Sequence, residues 1–255
     1  VSGRKATAAA KRPAKKSPVR KATAKQAAAK KSPAARTRSK ALRGQNLKEH
    51  ALEIQRRLLA AYPDAHCELD YRNPYELAVA TILSAQCTDK RVNMVTPELF
   101  RRWPNAAALA MAPREEIEAV IQSTGFFRNK AKSLSGFANA IVDHYGGEVP
   151  AQMEDLVALP GIGRKTANVV LGNAFGTNEG VVVDTHVQRL SLRFGLTEET
   201  DPIKVERALI PLFPRDSWTM LSHLMIWHGR RVCDARKPRC GECTLADICP
   251  SADLP

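Results

Sequence analysis

Residues 159–171 read LPGIGRKTANVVL, and this stretch decides what kind of fold surrounds it. Pro160, Gly161 and Gly163 bend the chain sharply between two helical patterns, one ending near Leu159 and the next beginning near Gly163. Having no Cβ, Gly161 and Gly163 let the backbone come close to another surface. The second helix offers its free N–H groups and the positive end of its dipole at the turn, a ready site for a phosphate. A tight helix–helix turn with no ligand explains PGIG alone equally well.

Outward from the hairpin, helical periodicity runs from about residue 45 to the C-terminal region. Leu47, Ala51, Ile54, Leu58 and Leu59 recur at three- and four-residue steps. LAVATILSAQ at 77–86 is apolar nearly all round and predicts a helix in the middle of a core. Further stripes follow at Ile117, Val120 and Ile121, then at Ala131, Leu134, Phe137, Ala138, Ile141 and Val142. Val183, Val187, Leu190 and Phe194 make another; Ile203, Arg207 and Ile210, with Leu209 and Phe213, make a last one before 218–229. Connections are short and punctuated by Pro or Gly, and no strand alternation persists. The predicted body is all-α.

Two residues beside the hairpin carry candidate chemistry. Lys165 lies in the first turn of the new helix, where the dipole and neighbouring Arg164 disfavour its charged form. Burial would act in the same direction and prepare an amine nucleophile, although the position also suits a phosphate-binding surface lysine. Asp184 follows the apolar run Val181, Val182, Val183 and precedes THVQRL, so it is expected to cap that helix. A capping carboxylate is rigid and ionised, which suits a group that stabilises positive charge.

Cys233, Cys240, Cys243 and Cys249 form a C-x6-C-x2-C-x5-C array. Four thiolates suit tetrahedral zinc or an iron–sulfur cluster. Only Cys240 and Cys243 form the tight pair usual for structural zinc, and the longer gaps lean toward a cluster. Cys67 and Cys87 stand apart and read as buried small hydrophobes.

Charge is divided unevenly over the 255 residues. Of the 39 Lys and Arg, 15 fall within 1–43, which has no acidic residue; 24 remain against all 26 Asp and Glu. The 1–43 tail, rich in Ala, Lys, Ser and Pro, cannot bury a core and is predicted to be disordered. It is expected to bind DNA non-specifically through its phosphates. No apolar run reaches the 18 residues of a membrane span, and the basic start lacks the apolar stretch of a secretory signal. We therefore expect no membrane partner and a cytoplasmic, nucleoid-associated location.

The hairpin LPGIGRKTANVV, the following VVVDTHVQRL and the cysteine array together resemble the endonuclease III family of base-excision-repair DNA glycosylases. LSAQCTDKRVN at 83–93 and TGFFRNKAKSL at 124–134 also resemble family segments, so the likeness spans about 45–250. The resemblance implies a six-helix barrel over 67–177 carrying the helix–hairpin–helix. A second domain, from 44–66 and 178–255, would hold a [4Fe–4S] cluster on Cys233, Cys240, Cys243 and Cys249. Lys165 matches the family's Schiff-base lysine and Asp184 its aspartate. The implied enzyme is a monomeric, bifunctional glycosylase/AP lyase. It acts on double-stranded DNA containing an oxidised pyrimidine of thymine glycol type or an abasic site, and cuts by β-elimination. Gln86 would fill the gap left by the flipped base, and the 125–129 loop would wedge near the orphaned partner, with Phe126 where an aliphatic residue is common. Gly161, Gly163 and Arg164 in the hairpin, and Arg236, Lys237 and Arg239 between the first two array cysteines, are the expected DNA backbone contacts.

Two rivals compete. An adenine-mismatch glycosylase shares hairpin and cluster but usually lacks the lysine and carries a further C-terminal domain, whereas the sequence ends six residues after Cys249. A non-catalytic DNA-binding protein with structural zinc explains tail, PGIG and thiols, but leaves Lys165, Asp184 and Gln86 as coincidences.

Overall fold

Caps written in the sequence mark many of the helix starts in the computed structural model, which describes residues 45–252. The chain runs through α1 (Gln45–Ala61), α2 (Pro74–Leu83), α3 (Asp89–Arg102), α4 (Ala106–Ala110), α5 (Arg114–Ile121) and α6 (Phe127–Tyr145). It continues with α7 (Met153–Ala158), α8 (Arg164–Ala174), α9 (Thr185–Arg193), α10 (Pro202–Leu209) and α11 (Trp218–Arg231). Short 3-10 turns cover Gln122–Thr124, Ile210–Leu212, Arg215–Ser217 and Cys240–Glu242. Asn73, Thr88, Asn105, Asp184 and Asp201 each accept a backbone N–H from the first turn they precede. No strand occurs among the described residues, and the all-α expectation holds. The basic tail lies outside the described residues, whose helices are all too short or too polar to cross a membrane.

Two hydrophobic clusters organise these helices. The first gathers buried side chains from Leu69 to Leu171, with α2 sealed from Tyr75 to Leu83 at its centre. The second joins Ala51, Ile54 and Leu58 of α1 to residues between Val181 and Cys249, with Leu221, Leu224 and Met225 of α11 fully buried. α8 packs against α2 on one side and α11 on the other, so it stands where the two clusters meet.

Three details depart from the periodic pattern. The apolar run 77–86 stops being helical at Leu83, because Ser84 caps the helix and the chain turns through Gln86 at φ 52°. In α10 the buried face is Val205, Glu206 and Leu209, while Ile203 is 50% exposed. The Asp201 cap and Pro202 set that phase. Leu59 and Val142, one residue past the buried Leu58 and Ile141, turn outward.

Candidate functional site

The hairpin is built around Gly161. Its φ of 82° suits glycine, and a Cβ there would stand 2.9 Å from Ser133 Cβ on α6. Leu159 and Ile162 are buried beneath the turn, and Ile162 N donates to Leu159 O at 3.1 Å. Gly163 is the N-cap of α8 with no side-chain cap bond, and nothing lies within 4 Å of where its Cβ would be. The first turn of α8 therefore opens with no side chain over its N–H groups. That is the geometry in which a helix start receives an anion.

Arg164 is committed elsewhere than the sequence implied. Its Nε and one terminal nitrogen each donate to Glu206 of α10 at 3.0 Å, and Asn168, one turn on, donates to the same carboxylate at 3.1 Å. Glu206 is buried, so this fork fixes the start of α8 against the second cluster. Lys165 beside it is exposed, not buried, and projects from α8 into a cleft.

Asp184 caps α9. Its Oδ1 accepts from the backbone N–H groups of His186 and Val187, both at 2.8 Å, leaving Oδ2 outside the cap. Val181, Val182 and Val183 before it are buried and anchor the strand-like approach. Asp184 lines the same cleft as Lys165, which encloses about 690 Å³ including its open mouth.

The cleft also collects residues the sequence did not single out. Cys67, expected to be buried, is only half-buried and lines the wall with His66 and Glu68. Arg230 of α11 pairs with Glu68 and, at 2.7 Å, with Asp89 at the start of α3, and all three line the cleft. His223 Nε2 donates to Asn173 Oδ1 at 2.7 Å, and burial followed by the nearby His66 pushes its pKa down to about 4. It is therefore neutral near pH 7.

Gln86 and Phe126 are the two non-glycine residues with positive φ among the described residues, at 52° and 48°. Each such conformation costs roughly 1–2 kcal/mol, and strain of this kind gathers at functional sites. Both side chains are exposed, Phe126 at 63%. Phe127 instead packs against the first cluster, with Arg128 over its ring.

The four array cysteines line a separate cavity of about 340 Å³ with Arg193, Phe194 and Pro238. Among the described residues no three Cys, His, Asp or Glu side chains converge tightly enough for a single metal ion. The four thiols line this one space together, and four thiolates suit an iron–sulfur cluster. N–H donors already aim at the sulfurs: Arg193 at Cys233 Sγ (3.1 Å) and Leu245 N at Cys243 Sγ (3.4 Å). Burial pushes the Cys249 thiol up to about 11 and raises Cys243 too, so both favour the neutral thiol and a bound cation would be what makes them thiolates. Arg236, Lys237 and Arg239 are exposed on the loop from Cys233 to Cys240, and Arg239 pairs with Glu242 at 3.1 Å.

Comparison with known proteins agrees with this geometry. Residues 79–215 match the model of the HhH-GPD superfamily base excision DNA repair protein, and 233–249 that of the iron–sulfur binding domain of endonuclease III. Endonuclease III of Synechocystis sp. is 60% identical over 80% of this chain and 94% of its own length. That of Bacillus subtilis is 46% identical over 74% and 86%. A non-covalent endonuclease III–DNA complex superposes with a TM-score of 0.77 at 41% identity, covering 80% of this chain and 96% of that one. A trapped endonuclease III–DNA covalent intermediate gives 0.75 at 42%, covering 79% and 96%.

Proposed function

The chain belongs to the endonuclease III family of DNA glycosylases with AP lyase activity, and from that premise we propose that Lys165 is its nucleophile and Asp184 its charge-stabilising carboxylate. One observation carries the assignment: two helix starts, of α8 and α9, deliver an amine and a carboxylate to a single cleft. A damaged base in a duplex exposes its sugar carbon only after flipping, at a cost of a few kcal/mol. Lys165 Nζ attacks C1′ while the glycosidic bond breaks and the oxidised pyrimidine leaves with the bonding electrons. Asp184 stabilises the positive charge on the sugar and helps remove the proton that the lysine must lose. The sugar ring then opens as C1′–O4′ breaks and O4′ takes up a proton, leaving a C1′=N Schiff base; this acidifies the C2′ proton, whose loss expels the 3′ phosphate and cuts the strand. Thymine glycol in duplex DNA is the substrate we assign.

Gln86 and Phe126 stand in left-handed turns, exposed, as the residues that fill the vacated stack and face the estranged base. The unobstructed hairpin at Gly161 and Gly163, and the cations Arg236, Lys237 and Arg239, take phosphates; Arg164 contributes mainly by holding α8 to Glu206. The cofactor is a [4Fe–4S] cluster, for which Cys233, Cys240, Cys243 and Cys249 are the ligands in this reading. When bound, it ties the ligand loop together and so sets those cations against the DNA backbone. The two hydrophobic clusters support a division into a six-helix barrel domain, 67–177, and a cluster domain from 44–66 and 178–255. We assign a monomer, held at the nucleoid of the cytoplasm by the basic tail.

Borohydride trapping on a duplex with one thymine glycol tests the central claim. The expected result is a covalent protein–DNA adduct that Lys165→Ala abolishes. Base release without an adduct in the unmodified enzyme would make it a hydrolytic glycosylase and remove Lys165 from the nucleophile's role.

A further inference from the structure

A buried lysine braces the left-handed turn at Phe126. Lys130, in the first turn of α6, is 5% exposed although Arg128 and Asn129 before it are at the surface. Its Nζ donates to the Thr124 carbonyl at 2.8 Å. Thr124 is buried too, and its hydroxyl donates to Ile121 O at 2.8 Å. The lysine bond therefore closes a ring around Gly125 and Phe126. From the other side, the backbone N–H groups of Asn129 and Lys130 hold the Phe126 carbonyl at 3.0 and 3.1 Å.

The site makes electrostatic sense. Thr124 ends a 3-10 turn, and its carbonyl accepts the hydrogen bond of the ammonium. Burial nevertheless pushes the Lys130 amine below its ordinary value, with Cys87 acting against that shift. Burying a cation costs free energy unless it is well paired, and a methionine would fill the same volume without that cost. What the ammonium adds is its hydrogen bond to the backbone of the turn.

We propose that Lys130 is a positioning residue for duplex interrogation: it holds the Thr124–Phe126 turn in the conformation that presents Phe126 to DNA. This rests on the reading of Phe126 as the residue that faces the estranged base. Lys130 touches no substrate and acts by preorganising the turn that does. Its effect is therefore confined to DNA whose stack must be opened.

The test compares Lys130→Met, Lys130→Arg, Phe126→Ala and the Lys130→Met/Phe126→Ala double variant as full-chain holoenzymes. Single-turnover cleavage is measured on a thymine glycol duplex and on a single-stranded abasic oligonucleotide, where no stack has to open. The duplex to single-strand ratio cancels any loss of folded enzyme. Lys130→Met is expected to lower that ratio about ten- to a hundredfold, as for one lost hydrogen bond to a charged group. Lys130→Arg should restore most of it. On top of Phe126→Ala, Lys130→Met should change it by no more than about twofold, since coupled residues are not additive. Fluorescence of 2-aminopurine opposite the abasic site should shift in Lys130→Met. An equal loss on both DNAs, or full additivity with a strong Phe126→Ala effect, overturns the role of Lys130 alone. An unchanged ratio in Phe126→Ala overturns the wedge reading and this proposal with it.

Discussion

Asp184 caps α9, and in the proposed reaction the same carboxylate stabilises charge, two tasks that the geometry allows to be separated. Both cap bonds fall on Oδ1, and an asparagine oxygen accepts equally well from His186 N and Val187 N. Asp184→Asn is therefore expected to unfold in denaturant within about 0.5 kcal/mol of the parent, the usual range for a change that keeps its partners. Its single-turnover base excision should nevertheless fall by about 10²–10⁴-fold, the range for losing an acid–base or electrostatic partner. Asp184→Ala loses the cap as well, and denaturation should show a further loss of about 1 kcal/mol. A second test at this scale concerns His223. Its pKa of about 4 lies below the ordinary 6.5, so the unfolded chain takes up a proton that the fold refuses. The stability this neutral histidine preserves is complete above about pH 6.5 and is lost as pH falls toward 4, at no more than about 1.4 kcal/mol per pH unit. Urea melts over that window should show a shallower slope in His223→Gln.

The spacing of elements decides whether amine and carboxylate meet. α8 carries Lys165 and lies against α11 through Gly172, where a Cβ would come within 2.2 Å of Thr219 Oγ1. Thr219 cannot retreat freely, because its hydroxyl donates to Asn178 Oδ1 at 2.6 Å. Gly172→Ala is expected to destabilise the protein by about 1–3 kcal/mol, as overpacking does. It should also slow borohydride trapping by moving Lys165; a thermal melt and a trapping time course check the two effects. The hairpin, the Asp184 cap and the cysteine array were legible in the sequence because each is written in local chemistry: a turn residue, a cap, a spacing. Glu206, Arg230, His223 and Cys67 were not, because their roles come from segments that meet only in the fold. Glu206 reads as one more charge on a helix until Arg164 and Asn168 close on it. Lys130 hides in the same way, with Lys132 two residues on and on the solvent side of the helix. The α10 stripe was misread in part: Leu209 and Phe213 are buried as expected, but Ile203 and Arg207 face outward while Val205 and Glu206 turn inward.

Over the whole molecule, the excess of positive charge lies in residues 1–43. Residues after 43 carry 24 basic against 26 acidic side chains, and many of the cations there, such as Arg57, Arg102 and Arg230, pair with a carboxylate. A body of this balance offers DNA only local patches, at the hairpin and at Arg236, Lys237 and Arg239. The 15 cations of residues 1–43 have no acid among them and are the natural source of long-range attraction. Each phosphate they neutralise releases condensed counterions and adds about 0.9 to the slope of log K against log salt. Deleting 1–43 is therefore expected to weaken binding to undamaged duplex and flatten that slope by several units, measured by anisotropy across a salt series. Single-turnover excision at saturating enzyme should stay within about twofold of the full chain, since every residue lining the cleft lies outside 1–43. An unchanged slope would place the polyanion contacts on the folded body and leave the tail without a part in DNA binding.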